Sequence, residues 1–287
     1  MRVGVVGATG VLARNLIPML VERGHQVRAL ARSPEKVLHT ARVEAVRHDL
    51  LDPAMAAQLP GLLAGCDVVI HAATAIPTDP TAPGGWENNS RLRTEGTRRL
   101  LDAALRAGVP QYIQQSIVMA YIDGGDRWLD ESTPLDSSPA RAGVCAPVIA
   151  MEGMVKANDP AQLAWCIVRG GLFVGPGTGQ EALIARLRAG QEVVRCDGQN
   201  FISPIHVADI AAAFVAVIER NPAGQVFNVV DEPLRQGEYT DRLARLVGAP
   251  EPPRDPGQPC PPSYRCTNQA AKTVLRWEPV HGIWPVV

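Results

Sequence analysis

The turn Gly7-Ala8-Thr9-Gly10-Val11-Leu12-Ala13 is the first place in this sequence where residue types and spacing point to chemistry. Gly7 permits a tight strand-to-helix turn, Gly10 lets backbone approach a diphosphate, and Ala13 keeps the following helix close. The open N–H groups and positive dipole end of such a helix attract phosphate oxygens. A tight turn without ligand is the bland alternative, and the elements downstream weigh against it. The next strand ends Ala29-Leu30-Ala31-Arg32-Ser33, with no acid to accept from a ribose 2′-hydroxyl. Arg32 offers a guanidinium that grips a 2′-phosphate with two hydrogen bonds, so NADP is expected over NAD. A solvated surface arginine is the competing reading.

Other reactive types are less organised. Arg91 and Arg93 stand two apart and do not share a helical face; Arg93 suits either an anionic substrate or an acidic partner. Glu152 and Lys156 read most simply as an exposed i,i+4 ion pair. Asp123, Asp126, Asp130 and Glu131 crowd one loop, the pattern of a solvated run. Six cysteines (Cys66, Cys145, Cys166, Cys196, Cys260 and Cys266) form no CxxC pair and have no accompanying histidine spacing. Free thiols are expected, with neither a metal site nor a disulfide framework.

The elements that position these residues alternate. Arg2 to Val6 is an apolar run ended by glycine, as in a buried parallel strand. Leu12, Leu16, Met19 and Leu20 share one face of the next helix, which Gly24 terminates. Further strands are expected at 26–31, weakly at 43–46, and at 68–70, 111–115 and 164–168. A long amphipathic helix spans roughly Trp86 to Ala107, and another Val148 to Ala157. This rhythm predicts a doubly wound parallel (Rossmann) sheet. After Gly171 it breaks, leaving a helix from His206 to Arg220, a strand at Val226 to Val229, and a proline-dense irregular loop from Pro250 to Pro262. The expected organisation is a dinucleotide domain over 1–171. A small discontinuous substrate lobe follows over 172–287, with elements that return to the core.

Composition narrows the function classes. The 287 residues are 46% apolar and 20% charged, with a net charge of -1. Nothing there argues for nucleic acid or an anionic membrane as partner. No apolar run is long enough to span a bilayer, and a strand starting at Arg2 leaves no room for a leader peptide. A cytoplasmic protein acting on a small-molecule substrate is the expectation.

In the order and spacing of its motifs the sequence resembles the short-chain dehydrogenase/reductase superfamily, in its extended, atypical, epimerase/dehydratase-like branch. The resemblance rests on Gly7 to Gly10, Asp49-Leu50, Ile70-His71-Ala72-Ala73-Thr74 and Glu95 to Leu100. Val168 to Gly177 and Ile205-His206-Val207-Ala208-Asp209 complete it. It implies that Gly7, Thr9, Gly10, Val11 and Leu12 cradle the phosphates, and that Asp49 and Leu50 lie at the adenine. Ala72, Ala73 and Thr74 would line phosphates and ribose, with Gly170, Gly171 and Leu172 as a wall near the nicotinamide. Asp49 reads equally as a turn residue and helix cap. Ser116 would stand beside the nicotinamide, and His71 is assigned to strand packing. The family also often dimerises through two long helices per subunit, so a homodimer is possible.

The departures bear on mechanism. The family's proton donor is a tyrosine followed four residues on by a lysine, and a glutamate commonly comes four after the lysine. Glu152 fits that last position, which puts Val148 and Val144 where the lysine and tyrosine belong. None of Tyr112, Tyr121, Tyr239 and Tyr264 has a lysine four residues later, and Arg93 replaces an expected asparagine. Tyr121, on the loop after the fifth strand, and Ser116 are the candidate replacement acids; a packed, anchoring ring is the other reading of Tyr121. The expected activity is an NADP-dependent oxidoreductase acting on a small carbonyl, imine or enone. A non-catalytic NADP-binding sensor and a redox-neutral isomerase or cyclase stand as alternatives.

Overall fold

Short segments, most of them rich in apolar residues and largely buried, become the strands of the sheet. They are β1 Arg2–Val6, β2 Gln26–Ala31, β3 Val43–Arg47, β4 Val68–His71, β5 Gln111–Ile117, β6 Ala164–Gly170 and β7 Gln225–Val229. In this computed structural model, which describes residues 1–77 and 82–285, they form one sheet in the order β7-β6-β5-β4-β1-β2-β3. The pairs β1–β2, β1–β4, β2–β3 and β4–β5 are parallel, and Val3 stands opposite both Val27 and Val68. This is the doubly wound Rossmann arrangement. Strand order reverses at β1 and β4, where such sheets open a crevice at their carboxyl ends.

The chain divides into two compact units. One holds residues 1–116, 137–168 and 211–227; the other holds 117–136, 169–210 and 228–287. Compared with the expected halves, 117–136 group with the second unit and 211–227 with the first.

In the first unit, Leu12, Ala13, Leu16, Ile17 and Leu20 form the buried face of the helix Val11–Glu22. Gly24 comes next with φ +81 and its amide on the Val21 carbonyl, a helix stop that only glycine adopts cheaply. The expected long helix is present but interrupted. Glu87–Arg91 and Thr97–Arg106 are α-helical, and Leu92–Gly96 between them is a π-turn. The extra residue in a π-turn rotates the helix beyond it, and such turns recur at functional sites. Gly96 has a local reason, since a Cβ there would come within 2.9 Å of Leu50 Cδ2. The helix Ala142–Lys156 begins earlier than the pattern indicated and buries Cys145, Val148, Met151, Glu152 and Val155 on one stripe.

The second unit is irregular. Two-residue and three-residue strands pair locally, Leu172–Val174 with Pro204–His206 and Phe201–Ile202 with Leu234–Arg235. The proline-dense segment contains one such strand, Arg254–Asp255, parallel to Val194–Arg195. That pairing corrects the cysteine reading: it brings together residues 64 apart, and Cys196 and Cys260 form a disulfide. Cys66, Cys145, Cys166 and Cys266 are buried. No helix among the described residues is long and apolar enough to cross a membrane.

His71 ends β4 and is 1% exposed, and burial lowers its imidazole to about 4. The unfolded histidine takes up a proton near its ordinary value, whereas the folded one stays neutral down to about 4. Stability from this group is therefore complete above about pH 6.5 and is lost as pH falls through that window. Urea unfolding of wild type and His71→Asn is expected to show the wild type losing about 3 kcal/mol more than the variant between about pH 7 and about pH 4. Parallel pH profiles would refute the burial argument.

Candidate functional site

Gly7 has φ +91, and both its amide and that of Ala8 donate to the Leu30 carbonyl, at 3.1 and 3.2 Å. A Cβ at Gly7 would lie 2.6 Å from the backbone nitrogen and Cα of Ala73, so only glycine fits. The Gly10 amide closes the turn on the Gly7 carbonyl at 3.0 Å. Gly10 then caps the helix Val11–Glu22 with no side-chain acceptor and no acid in the first turn. The leading amides stay open to an anion. Val11 begins that helix at the site, and Leu12 turns its side chain into the core.

Above this turn lies a cleft of about 410 Å³. Gly7, Thr9 and Gly10 line it together with Arg32, and Asp49 and Leu50 supply the opposite stretch after β3. Ala72, Ala73 and Thr74, after β4, complete it. Arg32 is exposed, with no hydrogen bond or ion pair among the described residues. Asp49 serves in its turn as well, because its Oδ1 accepts from the Leu51 amide at 2.9 Å. A crevice at the reversal of strand order, floored by glycines and open helix amides, fits a dinucleotide. Sequence reading missed His48, Asp52, Asn88 and Arg91, which also line the cleft. Arg91 pairs with Glu95 at 2.9 Å on its own helix. No local pattern marks these four: His48 and Asp52 flank Asp49 after β3, and Asn88 and Arg91 come from the helix Glu87–Arg91.

Ser116 and Glu152 lie elsewhere in the same unit, both 1% exposed. Ser116 Oγ donates to Glu152 Oε1 at 2.7 Å, and Lys156 Nζ donates to Oε2 at 3.0 Å. The expected Glu152–Lys156 pair exists, but its carboxylate is buried; the helical stripe that carries Val148 carries Glu152 inward too. Burial lowers the Arg93 guanidinium to about 10, against the opposing fields of Cys145 and Glu152. Val148 is wholly buried and Val144 is 42% exposed; neither carries a proton.

Tyr121 belongs to the second unit and is fully buried. Its hydroxyl donates to Asn228 Oδ1 at 2.7 Å and accepts from Arg169 Nη1 at 2.7 Å. Burial drives the phenol well above its ordinary range, only partly offset by Arg169. The neighbouring acids are likewise engaged. Asp123 accepts from the Gly125 and Ser263 amides, Asp126 pairs with Arg235, and Asp130 accepts from Ser132. Glu131 takes the Asn228 amide at 2.7 Å. Gly170 and Gly171 fill tight places: a Cβ on the first would meet Ile210 Cδ1 at 2.6 Å, and one on the second would collide with the Ser203 carbonyl. Leu172 comes next, in the strand Leu172–Val174. One further cluster was not anticipated. His281 Nδ1 and its backbone amide both meet the buried Asp209 carboxylate, at 2.7 and 2.9 Å, and the His206 ring stacks on His281.

Residues 3–230 match the profile of the NAD dependent epimerase/dehydratase family. The chain is 32% identical to a 3-diazoavenalumate denitrifying reductase from Streptomyces sp, across 99% of this chain and 98% of that protein. It is 30% identical to a 2-alkyl-3-oxoalkanoate reductase from Stenotrophomonas maltophilia, across 87% and 77%. Among solved structures it is similar to a dTDP-glucose 4,6-dehydratase from Streptomyces venezuelae solved with NAD, with TM-score 0.83, 21% identity, and coverage of 98% and 93%. A UDP-glucuronic acid 4-epimerase from Bacillus cereus, in complex with UDP-glucuronic acid and NAD, gives TM-score 0.82 at 17% identity, covering 99% and 95%. The chain belongs to the NAD dependent epimerase/dehydratase family, and its reductase relatives support an oxidoreductase.

Gly7→Ala forces a methyl against the Ala73 backbone at a φ that alanine avoids, a strain of roughly 1–3 kcal/mol before any backbone shift. Thermal unfolding is expected to show a lower midpoint and no added stabilisation by dinucleotide. Gly10→Ala, whose methyl would meet the Gly7 carbonyl at 3.2 Å, should cost less. Equal midpoints for Gly7→Ala and wild type would contradict the close approach.

Proposed function

We propose that this family member is an NADP-dependent reductase that delivers hydride to a small electrophile carrying its own leaving group, so that no protein acid has to protonate the product. One observation carries the reading: the Ser116 proton is directed into the buried Glu152 carboxylate, with Lys156 on its other oxygen. Ser116 therefore presents lone pairs, a hydrogen-bond acceptor for substrate. Val144 and Val148 supply no replacement donor, and Tyr121 acts as an anchor between Arg169 and Asn228.

NADPH, when bound, supplies the hydride. The chain's part is to hold and orient. Gly7, Gly10 and the open amides of the helix Val11–Glu22 take the diphosphate, and Thr9 and Ala72 to Thr74 line its path. Asp49 and Leu50 border the adenine, and Arg32 takes the 2′-phosphate. Reduction of a simple ketone, aldehyde or imine leaves an anion that needs a positioned acid. Replacement of a diazonium group does not: R–N₂⁺ plus hydride gives R–H and N₂, with charge and atoms balanced and no proton consumed. The full-length relative from Streptomyces is named for a denitrifying reduction of a diazo compound, which supports this substrate class. The same observation favours an enone second, since its stabilised enolate takes a proton from water.

Two measurements test the reading. Arg32→Ala is expected to weaken NADPH binding by about tenfold to a hundredfold, the loss of a charge-assisted hydrogen bond of about 1.5–3 kcal/mol, while leaving NADH nearly unchanged; equal losses for both would remove the 2′-phosphate assignment. With NADPH deuterated at C4, an arenediazonium salt should yield one N₂ per NADPH consumed, above the enzyme-free rate, and deuterium on the carbon that lost nitrogen. Faster turnover of a ketone or aldehyde would overturn the absent-acid argument. Binding without consumption of any electrophile would point to a sensor.

A further inference from the structure

Arg93 is a charged side chain that the dinucleotide site leaves unused. It stands in the π-turn Leu92–Gly96, and the two residues before it, Arg91 and Leu92, line the cleft over the glycine turn. Arg91 and Arg99, on either side of it in sequence, both pair with Glu95, at 2.9 and 3.7 Å. Arg93 has no such pair. It is half-buried, and the ionisable groups that act on it, Cys145 and Glu152, belong to the buried stripe of the helix Ala142–Lys156. Its guanidinium makes no hydrogen bond and no ion pair among the described residues, yet none of its nitrogens is sealed off from solvent.

The charges around it do not balance. Lys156 cancels Glu152 at 3.0 Å, and burial keeps His71, at the end of β4, neutral down to about 4. A thiol at its ordinary value, as on Cys145, is uncharged at neutral pH. Arg93 stays a cation there even though burial lowers it to about 10. One positive charge is left over, partly withdrawn from water and without a partner, which is unfavourable in the empty protein. A bound anion relieves it. The guanidinium plane grips a carboxylate with two parallel hydrogen bonds. A dianion fits less well, because the excess is a single charge and Glu152 repels the second.

We infer that Arg93 is the receptor for a carboxylate carried by the substrate. Glu152, whose field reaches Arg93, also accepts from Ser116, and this links the receptor to the proposed centre of reduction. The inference rests on the reductive reading for what happens to that substrate and not for its binding. Arg93 stands where the family resemblance expects an asparagine, and the exchange adds a charge at one defined place.

Calorimetric titration of the full chain with benzoate, benzamide and inorganic phosphate tests it. Wild type is expected to bind benzoate about tenfold tighter than benzamide, as one charge-assisted contact implies. Arg93→Met should reduce that preference below about twofold, and Arg93→Lys should keep part of it. Arg93→Met should also raise the thermal midpoint of the unliganded protein by about 2–4 °C, because a cation without a partner leaves a partly buried place. Equal binding of benzoate and benzamide by wild type would overturn the inference, as would a preference that survives in Arg93→Met. Phosphate binding that is tighter than benzoate binding and abolished in Arg93→Met would do the same, by assigning the place to an inorganic anion. A lower midpoint for Arg93→Met would show that groups of the protein already satisfy the charge, and would overturn it as well. None of these readings involves turnover. Failure of hydride transfer to every electrophile would sink the reductive reading and leave them standing.

Discussion

The distance between two turns governs the first unit. Where β1 runs out, Gly7 lies against the backbone of Ala73 with no room for a methyl group, and a single carbonyl, that of Leu30, holds the amides of both Gly7 and Ala8. The ends of β1, β2 and β4 are thereby tied at one point, and Ala72 closes the knot by donating to the Val6 carbonyl at 2.9 Å. From that point the cleft opens, with Arg32 and Asp49 placed by the strands that end beside it. If the turns stood further apart, the helix Val11–Glu22 would no longer aim its open amides into the crevice.

A second constraint is electrostatic. Burying a carboxylate is costly unless charge-assisted hydrogen bonds compensate, and Ser116 and Lys156 both donate to Glu152. That compensation sets the polarity of Ser116: its proton is committed to the buried carboxylate. Val148 and Glu152 ride on the same buried stripe of the helix Ala142–Lys156. Tyr121 shows the converse. A phenol closed off between a guanidinium and an amide oxygen is a strong structural tie, and burial raises its pKa away from the range useful for proton transfer.

The strands and the glycine turn were legible in the sequence because their signals are local. Apolar runs of strand length mark β1, β4 and β6, and Gly24 ends its helix through a φ that few other residues adopt. Among the cleft residues, the glycine turn and Arg32 could be read from their place after a strand, whereas Asp49, Leu50 and Ala72 to Thr74 were expected from the family resemblance. What was illegible depends on contacts across long separations. Cys196 and Cys260 meet through the pairing of two-residue strands, which no periodicity announces. The inward turn of Glu152 looked, by spacing, like an ordinary surface ion pair.

The interleaving of the two units has a consequence for how the protein is made. The chain passes between units five times, and the last strand of the sheet starts only at Gln225. A ribosome must therefore deliver about three quarters of the polypeptide before the dinucleotide scaffold can be completed, and neither unit can be excised as a continuous fragment. The same threading makes the second unit a set of insertions between sheet elements. Sequence drift in those stretches can proceed while the glycine turn and its sheet stay unchanged.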